Sequence, residues 1–313
     1  MESNRIFTDW RQRCSGLGHI MTNLNSISQS QINKLEMYNQ RVIDSVSDPK
    51  KSLTDKMKEE YAMLKAKRDA PDELPSGAIT HLDNVFRSRF WKRKDLLSNK
   101  YLEKGNFCEE DTLDLFSKAD GSFYIKNDEF LSNEFVEGTP DNIDESGSIV
   151  IVRDAKSKYS LKSFEESELI HLYEWQLKAY SWLVKEKLGL DYFPKGELCC
   201  GLVNGLMHQI QNETTSMFYK LGCPSDDDEK WIETKAQIER NHIFDIRKFK
   251  DEYPSYVFVN PVLDFDIPAS CRVKKFDVIT TADDVEAIKS RVMLSRIYLV
   301  QKEIETLKKM NLI

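Results

Sequence analysis

Apolar residues recur at helical spacing over most of the chain and at strand spacing in only a few places. Residues 31–70, rich in Lys, Glu, Met and Leu, predict charged helices broken near Ser47-Asp48-Pro49, where proline cannot continue a helical turn. Pro71 to Gly77 reads as a Pro/Gly connector, followed by a helix over AITHLDNVFRSRFWKRKDLL, residues 78–97. Gly105 is expected to open a helix carrying CEEDTLDLF, and Glu134–Glu137 with Ser148–Ala155 read as the two strands of a hairpin. A helix over about 167–188 precedes the apolar strand ELCCGLVNG and a helix near 205–220. The acidic loop Ser225-Asp226-Asp227-Asp228-Glu229 leads to a charged helix, and AIKSRVMLSRIYLVQKEIETLKKM closes the chain as one long helix. No internal repeat is present. The pattern predicts an α/β or α+β fold, with a helical N-terminal extension over 1–75 and a core over 76–313.

One break in this pattern raises a chemical question. The run Ser148-Ile149-Val150-Ile151-Val152 is apolar enough for a buried strand, yet it continues into Asp154-Ala155-Lys156. Burying ionised groups is costly unless they are paired or hold a metal. Similar triplets at Asp48-Pro49-Lys50, Asp228-Glu229-Lys230 and Glu233-Thr234-Lys235 fall in loops or charged helices, where solvated charge suffices. At the end of an apolar strand, period-two geometry puts Asp154 and Lys156 on one face. Thirteen residues earlier stands Asp141, in Gly138-Thr139-Pro140-Asp141, and a hairpin returns it to the neighbourhood of Asp154. Two adjacent carboxylates repel, and a divalent cation relieves the repulsion. An oxygen-only ligand set favours Mg²⁺ or Mn²⁺ over zinc. Lys156 is then placed to orient a water or to stabilise charge during attack on a phosphodiester.

Two helices add polar groups to this locus. Glu109 shares a face with Leu113 and Phe116, whereas Glu110, Asp111 and Asp114 fall elsewhere, so Glu109 is the acid turned inward. In ELIHLYEWQLKAYSWL, Leu169, Tyr173, Gln176, Tyr180 and Leu183 form one stripe, with Gln176 and Tyr180 as its polar exceptions one turn apart.

Composition narrows the class. The chain has 313 residues, 40% hydrophobic and 31% charged, and no long uncharged apolar run, which predicts a globular protein without a membrane span. The opening Met1-Glu2-Ser3-Asn4-Arg5 lacks a signal-peptide layout, so a cytoplasmic location is expected. Six scattered cysteines with no CxxC pair argue against a zinc ribbon or iron–sulfur cluster and read as reduced thiols. The five histidines read as single surface or core residues. A net charge of −7 weighs against nucleic-acid binding unless acids gather at a metal site and bases line a groove.

The ordered set Lys104-Gly105 with Glu109, Gly138-Thr139-Pro140-Asp141, Asp154-Ala155-Lys156 and Gln176-Leu177-Lys178-Ala179-Tyr180 resembles the PD-(D/E)XK nuclease superfamily. Within it, the set is similar to the viral-type recombination exonucleases related to phage lambda exonuclease, over roughly residues 77–220. The resemblance implies a restriction-endonuclease-like core, a central mixed β-sheet flanked by helices. It implies a metal held by Asp141, Asp154 and the Ala155 carbonyl with Glu109 beside it, Lys156 near the attacking water, and Gln176 with Tyr180 as DNA-side or orienting groups. Arg13-Cys14-Ser15 through Met21 also resembles the family's opening motif, making Arg13 and Ser15 candidate phosphate contacts. One departure is Asp154, where the nearest relatives usually carry Glu; the shorter arm bears on metal preference.

The implied activity is Mg²⁺-dependent exonucleolytic cleavage of DNA, 5′ to 3′ on double-stranded ends, supplying single strands to a phage annealing protein, with a ring-shaped homo-oligomer as a further expectation. Arg87, Arg89, Lys92 and Arg93, interleaved with Phe90 and Trp91, either grip a DNA backbone or form a solvated face. The alternatives are a RecB-type or CRISPR-associated nuclease of the same core, and a non-catalytic DNA-binding protein.

Overall fold

A computed structural model describes residues 5–22, 29–69, 73–95, 99–259 and 266–313. Pro71-Asp72 of the connector and the end of the helix expected over 78–97 lie outside the described residues. The helices are α1 (Leu17–Ile20), α2 (Gln29–Asp44), α3 (Asp55–Asp69), α4 (Ser76–Arg89), α5 (Lys100–Phe107), α6 (Glu109–Asp120), α7 (Leu161–Glu165), α8 (His171–Leu188), α9 (Met207–Lys220), α10 (Glu229–His242), α11 (Ile246–Glu252) and α12 (Ala282–Lys309). The strands are β1 (Gln12–Arg13), β2 (Leu131–Ser132), β3 (Val136–Gly138), β4 (Asn142–Asp144), β5 (Ile151–Ser157), β6 (Lys195–Gly201) and β7 (Val273–Val278). No helix among the described residues is long and apolar enough to cross a membrane.

The chain divides into two compact units. The first comprises residues 1–10, 19–94 and 289–313. There α2 and α3 bury Leu35, Tyr38, Leu53 and Leu64 against one another, on either side of the break expected at Pro49. Phe7 stacks on Phe86 at 5.5 Å, and the buried Arg296 of α12 donates to the Trp10 carbonyl at 2.7 Å. Helix α4 ends at Arg89, short of its expected length. The chain turns back with the Arg93 N–H on the Arg87 carbonyl at 3.1 Å, and Lys92 takes a positive φ of 52°.

The second unit, residues 11–18 and 95–288, carries the sheets. The central mixed sheet runs β4-β5-β6-β7: β4 is antiparallel to β5, β5 parallel to β6, and β6 antiparallel to β7. The parallel β5–β6 pair needs a long crossover, which α7 and α8 provide. A separate three-stranded sheet runs β1-β3-β2. The two faces of the central sheet are covered by different helices. On one, Leu113 and Phe116 of α6 pack with Ala155 and Cys199; on the other, Leu177 of α8 packs with Leu198, Cys200 and Val278. Cys199 and Cys200 thus fill opposite faces, as strand alternation requires.

Two expectations are corrected here. The hairpin partner of β5 is β4, directly after Asp141, whereas Val136 and Glu137 belong to β3 in the other sheet. Gly105 lies inside α5, and the helix with CEEDTLDLF is a separate one that starts at Glu109 after a break at Cys108. Strand β7 was not legible beforehand, because VKKFDV has its charges on a half-exposed edge and no clean apolar alternation.

Candidate nuclease site

The β4–β5 register decides the geometry. Asn142 pairs with Arg153 and the Asp141 N–H donates to the Arg153 carbonyl at 3.2 Å, so Asp141 enters the hairpin beside Asp154. Asp141 Oδ2 accepts from the Ala155 N–H at 2.6 Å. Asp154, on β5, is only 1% exposed. Its Oδ1 accepts from Gln176 Nε2 at 2.7 Å, and the same amide donates to the Tyr180 hydroxyl at 3.2 Å. Lys156 Nζ lies 2.7 Å from Asp154 Oδ2 as an ion pair, but that buried oxygen takes no aligned hydrogen bond.

Burial, then the charge of Asp154, pushes the Asp141 carboxyl up to about 8, against the opposing pull of Lys156. Burial opposes the charge on Lys156, yet the carboxylates of Asp154 and Asp141 outweigh it and hold its pKa above the ordinary lysine value. Burial, then Asp154, raises the Tyr180 phenol, which stays protonated.

Backbone placement explains how these groups meet. A Cβ on Gly138 would stand 2.9 Å from Tyr180 Cε1 and 3.2 Å from Cys14 Cβ, so only glycine lets β3 approach α8 so closely. Gly18 plays the same part, since a Cβ there would come within 2.7 Å of Leu172 Cα. Together they bring the turn at Cys14–Gly16 against α8 and set Ser15 at the site.

The groups open into a cavity of about 500 Å³. Ser15, Glu109, Asp141, Asp154, Ala155, Lys156 and Gln176 line it, and Tyr180 is buried behind Gln176. Glu109, first residue of α6, is ion-paired with Lys126 at 3.4 Å. Among the described residues no group of three or more His, Cys, Asp or Glu side chains is arranged to hold a metal ion, and the charge of Glu109 adds to the upward push on the Asp141 carboxyl. Arg13 is exposed on β1 and does not line the cavity. Arg87, Arg89, Lys92 and Arg93 are exposed in the first unit and are not among its lining residues.

Several lining residues were missed from sequence. Lys158 follows Lys156 at strand period and was readable from K-S-K; Tyr173 sits one turn before Gln176 in the stripe already identified. Tyr101 and Tyr159 left no signal, since only the fold joins α5 to the end of β5. The histidines are not all isolated, because the His19 and His81 rings stack at 4.9 Å, and burial with the nearby His19 lowers the His81 pKa to about 4.

No protein-family pattern matches the chain, and no curated protein matches it. Among solved structures, a phage-related exonuclease from Haemophilus somnus 129PT superposes with a TM-score of 0.55, covering 95% of this chain and 97% of that one at 17% identity. The chain has the fold of a phage-related exonuclease. An alkaline exonuclease from Laribacter hongkongensis covers 77% of this chain and 88% of its own at 8% identity, TM-score 0.44. The same enzyme in complex with dAMP gives 0.42 at 9% identity, covering 76% and 86%. In this exonuclease fold, the hairpin β4–β5 and helix α8 carry the carboxylates, the ammonium and the glutamine described above.

Proposed function

We propose that the chain is a Mg²⁺- or Mn²⁺-dependent exonuclease that hydrolyses DNA phosphodiesters, resecting double-stranded ends 5′ to 3′ for strand-annealing recombination. The observation that carries this reading is the meeting of Asp141, Asp154 and Lys156 on adjacent strands at the wall of an open cavity.

The residues fit a hard divalent cation. Burial, and then the charge of Asp154, drives Asp141 towards protonation, and Asp154 Oδ2 lacks an aligned donor. Asp141, Asp154 and the Ala155 carbonyl would hold the ion, and a site with few protein ligands suits Mg²⁺, which keeps waters and takes substrate phosphate oxygens. When bound, the ion supplies Lewis acidity at the phosphoryl group and lowers the pKa of water. Lys156 stays charged and stabilises negative charge developing on the phosphate oxygens. Gln176 fixes Asp154 Oδ1, and Tyr180 accepts from that same amide, so the carboxylate is oriented before substrate arrives. Glu109 acts on the Asp141 side through water, and Ser15 contacts substrate phosphate at the cavity wall. Partners on this reading are DNA, a single-strand annealing protein and further copies of the chain in a ring.

A linear duplex labelled at its 5′ or 3′ end, digested with Mg²⁺ or with EDTA by wild type and Lys156→Ala, tests the proposal. Mg²⁺-dependent loss of 5′ label, absent in Lys156→Ala, is expected. Tight DNA binding without product under either metal would make this a binding protein instead.

A further inference from the structure

A second cavity, of about 420 Å³, lies beside the site within the same unit. Tyr159 lines both cavities and is the wall they share. Lys100, Lys162, Arg240, Asn241 and His242 also line the second one. Its acid, Glu213, lies 3.0 Å from His242 Nε2 and is outnumbered by Lys100, Lys162 and Arg240, so the cavity's character is cationic. Tyr101, 60% exposed in the wall of the first cavity, meets the Tyr159 ring edge-on at 4.9 Å, so the aromatic pair runs from one cavity to the other. Lys100 Nζ stands 4.5 Å from the Tyr159 ring centroid and 5.4 Å from that of Tyr101, placing a cation beside both rings.

An aromatic face for a base, flanked by cations for its phosphate, is the combination that holds single-stranded nucleic acid without reading its sequence. We propose that this second cavity is a nucleotide subsite. It takes the nucleotides of the strand that lie beyond the one at Asp154, the base against Tyr101 and Tyr159 and the backbone against Lys100, Lys162 and Arg240. The proposal rests on the nuclease reading above and adds to it a substrate segment: the strand continues from the cutting site past Tyr159 rather than leaving directly into solvent. It also gives an acidic chain a local basic path for its substrate.

Binding of single-stranded oligonucleotides of two to six nucleotides, measured by fluorescence anisotropy in EDTA, tests this without any cleavage. Arg240, which is exposed, and Lys162, 81% exposed and 3.8 Å from Glu166, line the second cavity alone and can be changed without disturbing the core. Arg240→Ala should weaken binding about tenfold for oligonucleotides of four or more nucleotides and leave the dinucleotide unchanged, with Arg240→Lys restoring part of it. Lys162→Ala should lower the salt slope for the longer oligonucleotides by about 0.7, the release expected for one single-strand phosphate contact. Losses equal at every length, no loss in either variant, or no oligonucleotide binding by wild type would each overturn the subsite. The Mg²⁺ digestion above then decides separately whether the nuclease reading stands, since cleavage by wild type with no length-dependent effect of Arg240 or Lys162 removes only the subsite.

Discussion

Strand β5 carries charged residues on both faces at neighbouring positions, and the two faces treat them oppositely. On one, the buried Arg153 donates to Glu197 at 2.8 Å, Asn142 at 2.8 Å and Asp144 at 3.0 Å, with its guanidinium 4.2 Å from the Tyr124 ring centroid. On the other, Asp154 has Lys156 Nζ at 2.7 Å and feels the charge of Asp141 nearby, and one of its oxygens has no aligned donor. Both faces bury charge, so burial alone does not mark a site. The Arg153 face is a closed network that ties β4, β5 and β6 together, whereas the Asp154 face opens into the cavity. Structural charge is completed within the protein; the Asp154 face is the one that the proposed cation would complete.

The largest expected effect breaks the closed face. Arg153→Met should cost about 3–5 kcal/mol in urea denaturation, because it leaves Glu197 buried with weaker compensation; a cost under about 1 kcal/mol would mean the network is not closed. Next, Lys156→Ala should lower the cleavage rate about 10²–10³-fold while its melting transition stays near that of wild type, which separates chemistry from folding. Wild-type rates in that variant would remove Lys156 from the chemistry.

A smaller effect comes from protons. With Asp141 raised to about 8 in the fold and near 4 in the unfolded chain, the folded state holds the extra proton between these values. Its contribution is present at low pH and is lost as pH rises through about 8, so metal-free protein should lose stability over that window, by at most about 1.4 kcal/mol per pH unit. Asp141→Asn should flatten this slope in EDTA; an unchanged slope would assign it to another group. The smallest effect sets the baseline for both faces. The exposed Lys162–Glu166 pair, at 3.8 Å, should tolerate Glu166→Gln within about 0.5 kcal/mol in the same denaturation assay.

What the sequence disclosed follows the same division. Apolar periodicity located α2, α3, α8, β6 and α12 because each has a face that must be buried. Asp154 and Lys156 stood out because charges at the end of an apolar strand violate that pattern. Glu109 could be picked as the inward acid from Leu113 and Phe116, both buried in the structure. The hairpin partner was misplaced because β4 has only three residues and its Asn142 and Asp144 look like loop, their burial depending on Arg153 across the strand pair. Tyr101, Tyr159 and the second cavity were not legible, since they arise where α5, β5 and α10 converge and no local spacing encodes that.

The claim that the Asp154 face is completed by a cation is tested most directly by calorimetric titration of Mn²⁺ into metal-free wild type and Asp154→Asn. One saturable event in wild type, weakened at least about tenfold in Asp154→Asn while the variant melts no lower than wild type, is the expected result. Identical isotherms for the two proteins would contradict it.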